Sequence, residues 1–448
     1  MSQTDYQAGL DYGGGSVPKL FFKIFFPTLL GMVFNALLTV VDGIFVGQGV
    51  GPDGIAAVNI IAPLYMVVTG LGLMFGIGAS VVAGVMMSQG DNRRASVAVT
   101  QAAAVSIVLV TILCCLLGAM PRQVATMLGC SELLMPHALD YLLWLLPGIF
   151  FLLIECIGMM VIRLDGSPKF AMMCNIIPAT INIGLDYWLV FPMGMGVKGA
   201  AIATSASIAV GAIMVIFYFC GRSYVIRIIW SAKGLLRNLW RQICVGSSAF
   251  ITEIAMSVMM LTGNYVFMKY YGEAGVAAYS IACYLFPIMF MMSNSVAQSA
   301  QPIISFNYGA GKSDRVRRAF AVSLIVAVSC GIISTAGISL GADGIVAMFI
   351  NPDCEAGVLA RSGLPVFALC AVFFAANIAV IGFCQSVEDA GRATLLTLLR
   401  GVIFVVPAFL LLPLTGYWWG IWAAIPASEV LTLTVIGLMA VFKGFRTK

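Results

Sequence analysis

Residues 28–51 read TLLGMVFNALLTVVDGIFVGQGVG, an apolar stretch that carries one carboxylate, Asp42. It is long enough to cross a bilayer, which takes ~20 apolar residues in a helix. Four polar side chains lie within roughly 60° of one another on one face of such a helix; they are Thr28, Asn35, Thr39 and Asp42. A charge in a lipid-spanning helix costs at least ~2.5–3.5 kcal/mol on insertion scales. We therefore expect Asp42 to be paired or to serve a function.

The rest of the chain has the same apolar character. Of its 448 residues 61% are hydrophobic and 10% are charged, with a mean hydropathy of +1.02. This composition excludes a soluble globular protein and predicts an all-α membrane protein. The twelve cysteines show no CxxC pair and there is one histidine, His137. We expect no disulfide framework, metal site or His-based catalysis, and the polar N-terminus is not a signal peptide.

Apolar runs predict twelve transmembrane helices. They fall near residues 20–45, 55–84, 95–118, 138–162, 169–191, 198–220, 242–268, 276–304, 318–340, 362–385, 393–414 and 418–442. We assign 20 of the 24 Lys and Arg residues, Arg163 and Arg400 among them, to loops on the side of the termini. Positive charges favour the cytoplasmic side. We expect a multi-pass membrane protein with both termini in the cytoplasm.

The two halves of the chain are repeats. When the first half is shifted onto the second by a constant offset, Gly90 meets Gly311 and Pro192 meets Pro413. Parallel repeats of six spans predict two pseudo-symmetric lobes, with sites near the middle of the membrane. The expected organisation is a polar tail (1–15), an N-lobe (16–220), a basic cytoplasmic linker (221–241) lying on the membrane surface, and a C-lobe (242–448).

Comparison of the two repeats also identifies polar residues that occur in the first half only. The same offset places Gly263, Ile403, Pro407 and Ile425 opposite Asp42, Asn182, Asp186 and Thr204. The first half thus has a polar set that the second lacks, which favours a function. The alternative is polar contacts between helices, worth about 0.6 kcal/mol each.

The second half has two polar stripes of its own. One in span seven holds Glu253, Ser257 and Asn264, and one in span eight holds Asn294, Gln298 and Gln301. With Asn35 of span one they are candidates for a substrate cavity, and helix–helix contacts are the alternative. Two more acids in spans, Glu155 and Glu429, cannot be assigned to a face.

Two motifs need a structural explanation. GAGKS at 309–313 lacks the first glycine of a phosphate-binding loop, because position 306 is Phe, so ATP use is not expected. GLGLMFGIGAS at 70–80 predicts close helix packing. No protease or hydrolase motif occurs in a suitable setting, so we do not expect an enzyme.

The chain resembles the multidrug and toxic compound extrusion (MATE) family, in its MepA-like or DinF-like bacterial branch. The resemblance covers residues 16–442. It rests on VDGIFVGQGVG, on QPIISFNYGAGKSDRVRRA after span eight, and on NIGLDYWLVF followed by GVKGAAIAT.

The resemblance implies an antiporter in which cation entry drives the export of drugs and other small amphipathic or cationic compounds, a basis for antibiotic resistance. The residues that match the family's coupling site are Asp42, Asn182, Asp186 and Thr204, which would hold H⁺ or Na⁺. The family's proline in span one, where that helix can bend, matches Pro27. Span ten has no acidic residue here, unlike the NorM-like pattern. We expect a monomer in the lipid bilayer that uses no cofactor, ATP or nucleic acid. The alternative within the superfamily is a lipid-linked precursor flippase.

Overall fold

The computed structural model describes residues 10–50, 52–128, 130, 132 and 134–443, and every regular element among them is a helix. The first seven helices are α1 Val17–Val50, α2 Pro52–Ser88, α3 Asn92–Ala119, α4 Pro121–Met127, α5 Met135–Leu164, α6 Pro168–Val190 and α7 Gly196–Gly221. The other seven are α8 Leu235–Gly309, α9 Ser313–Phe349, α10 Glu355–Ala368, α11 Cys370–Ser386, α12 Ala390–Leu398, α13 Val405–Leu411 and α14 Ala424–Lys443. Most of the expected polar tail and the side chain of Thr39 lie outside the described part.

Over the described residues the helices supply twelve spans, as the sequence predicts. Ten stretches pass a test of length and apolarity for crossing a membrane. That number counts α8 once and omits α6, whose Asn175, Asn182 and Asp186 lower its hydropathy. As one straight helix the 75 residues of α8 would extend ~110 Å, against ~30 Å for a bilayer core. They form two spans, because the helix is interrupted at Gly272 (φ 59°, ψ −149°).

The chain divides into two compact units, Met1–Phe250 and Ile251–Lys448. In the first, α5 is the most buried helix, packed on α2, α3 and α7, while α1 packs on α6. In the second, α8, α9, α10, α11 and α14 share an apolar core rich in aromatic rings. The boundaries that the sequence predicts for the lobes and linker stay predictions.

Two turns that the repeat pairs have the same backbone conformation in both halves. Gly90 (φ 80°) and Gly311 (φ 70°), which the repeat pairs, both follow the end of a span in the left-handed region. In each turn the N–H of the residue after the glycine donates to the carbonyl five residues earlier in the chain. Asp91 donates to Met86 at 3.1 Å, and Lys312 donates to Asn307 at 2.9 Å. This is the hydrogen bond of a Schellman motif, which closes a helix end. GAGKS is therefore such a turn between two helices, as its sequence suggests.

The glycine-rich segment of α2 lies against other helices at very short range. A Cβ atom at Gly76 would meet the backbone of Cys156 and Ile157 on α5, and one at Gly78 would overlap the backbone of Gln242 on α8. Gly246 of α8 approaches the backbone of Met74 in the same way. The predicted close packing of residues 70–80 is confirmed.

The linker between the halves lies against the first unit through its backbone. The Asp165 carboxylate, just after α5, accepts the N–H groups of Tyr224, Val225 and Ile226 at 2.7–2.9 Å. On α3 the hydroxyls of Ser96 and Thr100 accept the N–H groups of Arg227 and Ile229. The Gln101 amide donates to the carbonyls of Ser231 and Lys233. These bonds fix the linker to the ends of two spans.

Candidate functional site

Helices α1, α6 and α7 place the polar residues of the first half at about the same height along the helix axes. These residues are Asp42, Asn182, Asp186 and Thr204. Gly31 of α1 faces Asn175 of α6 and Gly49 faces Val190, so the two helices run in the same direction. Interpolation between these contacts places Asp42 beside about residue 184 of α6. Gly199 of α7 lies against Leu189 of α6. Because α7 runs back along α6, Thr204 lies at about the same level.

Asp42 and Asp186 meet at this level. Their carboxyl groups lie within hydrogen-bonding reach of each other. Asp186 is fully buried. Among the described residues, neither of its oxygens, nor Oδ1 of Asp42, accepts a hydrogen bond. Burying such acceptors without a donor is costly, and two carboxylates in a low dielectric resist being charged together. A proton or a cation between them relieves both costs.

Other polar groups lie on α1, α6 and α7. Asn182, 2% exposed, precedes Asp186 by one helical turn, and its Nδ2 has no acceptor within the described part of the chain. Thr28 is buried on α1 about four helical turns before Asp42, so it lies away from the pair, and its hydroxyl has no partner within the described part of the chain. Thr204 is half-buried. Pro27 lies inside α1 next to Thr28, where it removes one backbone donor from the helix.

Sequence reasoning missed Tyr141. This buried residue of α5 lies close enough to Asp42 and Asp186 to interact electrostatically with both, and also with Tyr65 of α2. A phenol can donate a hydrogen bond to a carboxylate. The available signal was a tyrosine in the first turns of a span, which is also typical of residues at the membrane interface.

The candidates for a substrate cavity belong to both units. Asn35 is exposed on α1. Of the six in the second unit, Glu253, Gln298 and Gln301 are buried, and Ser257, Asn264 and Asn294 are half-buried. Their shared cavity stays a prediction.

The assignment of Arg163 and Arg400 to loops is wrong. Arg163 is buried in the last turn of α5, within reach of Met160. Arg400 lies in a π-helix, Leu399–Ile403, inside the span that α12 begins. Its guanidinium donates twice to Oε1 of Glu429, from Nη2 at 2.8 Å and from Nε at 3.1 Å. The side chains of Arg400 and Glu429 are 6% and 3% exposed, so this ion pair is buried in the interior of the protein.

The Arg400–Glu429 pair is well supported. Asn377 of α11 donates to Oε2 of Glu429 at 2.7 Å, and the ring of Phe374 lies 4.3 Å from the guanidinium carbon. A small cavity lined by Thr252, Met256, Met259 and Phe286 borders the pair. Glu429, which the sequence left unassigned, thus neutralises a buried arginine.

Glu155, the other acid without an assigned face, lies in the first unit. Its carboxyl group packs against Gly211 of α7, where a Cβ atom would collide with it. It also lies near Cys174 of α6. Glu155 is thus buried between α5, α6 and α7, two helical turns along α7 from Thr204.

Comparison with known proteins agrees with this architecture. The MatE family model matches residues 27–188 and 248–410, two segments whose first residues are separated by the same offset as Gly90 and Gly311. The multidrug export protein MepA of Staphylococcus haemolyticus (strain JCSC1435) is 25% identical over 423 residues, covering 91% of each chain. MepA of Staphylococcus aureus (strain MRSA252) is 26% identical over 424 residues, covering 93% of this chain and 92% of that protein.

The fold matches solved transporters as well. The outward-facing structure of a multidrug resistance MATE family transporter of the MOP superfamily superposes with a TM-score of 0.90 at 21% identity, covering 97% of this chain and 98% of that one. Since the family model matches most of the chain, in both halves, the protein belongs to the MatE family.

Proposed function

We propose that this chain is a cation-coupled antiporter that exports small amphipathic or cationic organic compounds. The observation that carries the proposal is the contact between Asp42 and Asp186, whose buried acceptors have no donor among the described residues. The names of the relatives, multidrug export proteins, support the substrate class. We place the protein in the bacterial cytoplasmic membrane as a monomer with cytoplasmic termini, working without ATP.

The arrangement suits either of two coupling ions. One proton shared by the carboxyl groups would leave a single negative charge and convert one acceptor into a donor. Na⁺ would be held by the carboxylates together with the side-chain oxygens of Asn182 and Thr204, hard ligands that such cations prefer. In both cases the ion removes the repulsion between two ionised carboxylates.

Coupling then follows from differential binding. An ion that binds one arrangement of the two lobes better than the other shifts the balance between inward-open and outward-open states. Alternating access exchanges the ion for substrate if ion binding and substrate binding favour opposite states. Pro27 lies on the same helix as Asp42 and removes one backbone hydrogen bond there, so α1 could bend at Pro27 when the carboxyl pair binds or releases the ion.

We test the proposal with Asp42→Asn in membrane vesicles. Dye efflux is measured under a proton gradient and, separately, under a Na⁺ gradient. We expect the variant to lose gradient-driven efflux at least tenfold while its amount in the membrane is unchanged, because an amide cannot supply the charge that the ion neutralises. The gradient that drives the unmodified protein identifies the ion.

The matched control is Asp343→Asn, which removes an exposed carboxylate that pairs with Arg361. It should transport normally. Normal gradient-driven efflux by Asp42→Asn would refute the proposal, and flux that responds to neither gradient in the unmodified protein would indicate a passive channel. No structural observation favours the flippase.

A further inference from the structure

The linker is unusual in its charge. Residues 221–241 read GRSYVIRIIWSAKGLLRNLWR and contain five basic and no acidic residues. The basic residues are Arg222, Arg227, Lys233, Arg237 and Arg241. A segment with one sign of charge attracts surfaces of the opposite sign.

One side of the linker is already occupied. Its backbone is bonded to Asp165 and to the first turns of α3, and Ile226 and Leu239 are buried against the first unit. Because backbone groups make most of these contacts, many of the linker's side chains point away from the protein.

The exposed side chains of the linker combine apolar and basic groups. Ile228, Trp230, Leu236 and Trp240 are 64%, 60%, 83% and 70% exposed. Arg222, Arg227, Lys233 and Arg237 are exposed among them. We call these eight side chains the outer linker face.

We propose that the outer linker face is a binding surface for anionic phospholipid, with the basic groups on the phosphates and the aromatic and aliphatic groups in the headgroup region. Tryptophan is enriched at the interface between membrane and water, and basic groups interleaved with apolar ones are typical of segments that lie in it. The linker sits where lipid headgroups are expected, because its anchors lie directly at the ends of the α3 and α5 spans.

A protein partner fits this face less well. Arginine and tryptophan also occur in protein interfaces, but there the charged groups lie mainly at the rim around an apolar centre, whereas charges and apolar groups alternate along the whole outer linker face. Each basic side chain near an anionic membrane should strengthen the attraction about fivefold. Three removed together should weaken it at least tenfold.

The test uses the full-length protein in neutral detergent, titrated with phosphatidylglycerol or with phosphatidylcholine. The readout is the melting temperature as a function of lipid concentration. We expect phosphatidylglycerol to stabilise the protein at much lower concentration than phosphatidylcholine, and ~0.5 M salt to reduce that difference because screening weakens exposed charges. The triple variant Arg227→Gln/Lys233→Gln/Arg237→Gln should need at least ten times more phosphatidylglycerol for the same shift.

The sequence places the other four basic residues on the side away from the termini: Arg122, Lys198, Lys269 and Arg361. The control replaces three of them, as Arg122→Gln/Lys269→Gln/Arg361→Gln. It should respond like the unmodified protein. Equal responses of the two triple variants would overturn the proposal, and so would equal stabilisation by both lipids. Neither measurement depends on transport, so the result is independent of the ion-coupling proposal.

Discussion

At the scale of single residues, the Arg400–Glu429 pair shows how a charged side chain is accommodated in an apolar interior. Each partner compensates the other at 2.8 Å, and Asn377 and Phe374 complete the surroundings. The attraction between such charges is offset by the loss of hydration, so the pair adds little net stability over well-packed apolar groups. Leaving one partner alone is far more costly.

Glu429→Ala should therefore lower the free energy of unfolding by ~3–5 kcal/mol, because it leaves the Arg400 guanidinium buried and uncompensated. The change would be measured by denaturant unfolding in detergent. The double variant Arg400→Met/Glu429→Leu should recover most of the loss. If it were as unstable as the single variant, the pair would contribute packing or hydrogen bonds that apolar groups do not replace.

At the scale of helices, the contact between α2 and α8 depends on two glycines. Gly78 and Gly246 each let the backbone of the other helix approach where a Cβ atom would collide with main-chain atoms. A backbone cannot rotate aside as a side chain can, so any substitution must separate the helices.

We expect Gly78→Ala to destabilise the protein by ~1–3 kcal/mol, the usual range for overpacking, measured as a loss of melting temperature. Gly337→Ala on α9 is the matched control, since a Cβ atom there has no neighbour in van der Waals contact. The control should gain about 0.5–1 kcal/mol from the better helix propensity of alanine. Equal effects of the two changes would show that α2 and α8 can separate at little cost.

The number and order of the helices were predictable, because the length and hydropathy of a local stretch of sequence are enough to indicate a span. Asp42, Asn182, Asp186 and Thr204 were found by comparing the halves, and the structure puts the two aspartates together. Tyr141 and the partner of Glu429 were missed for a common reason. Each contact joins positions that are far apart in the chain and on different helices, as Arg400 and Glu429 are. Hydropathy carries no information about such pairings.

At the scale of the whole molecule, the two units share a plan and differ in chemistry. Opposite Asp42 the second unit has Gly263, and the ring of Tyr279 fills the space beside it. Tyr279 and Ile425, which stands opposite Thr204, both belong to the buried apolar core of that unit. The place that holds carboxyl groups in the first unit is thus packed with apolar groups in the second.

The second unit has no carboxyl group opposite Asp42 or Asp186. Asp186→Asn should therefore lower gradient-driven efflux at least tenfold, as much as Asp42→Asn does. The double variant should lose no more than either single one, since groups that act as a unit are not additive. Efflux rates in vesicles of the three variants, at equal protein, check this. A double variant at least tenfold slower than both single ones would mean that each carboxyl group acts alone.

The turns that end spans four and ten share one backbone hydrogen bond although their sequences differ. In the first half the N–H of Ser167 donates to the carbonyl of Ile162 at 3.1 Å, and in the corresponding turn of the second half the N–H of Asp389 donates to that of Cys384 at 2.8 Å. The residue before the donor is Gly166 (φ 95°) in one turn and Glu388 (φ 58°) in the other. A side chain in this region costs ~1–2 kcal/mol, so Glu388 holds a backbone conformation that its own side chain disfavours, and the helices on either side of the turn compensate that cost. The two halves therefore resemble each other more in where the chain turns than in which amino acid makes the turn.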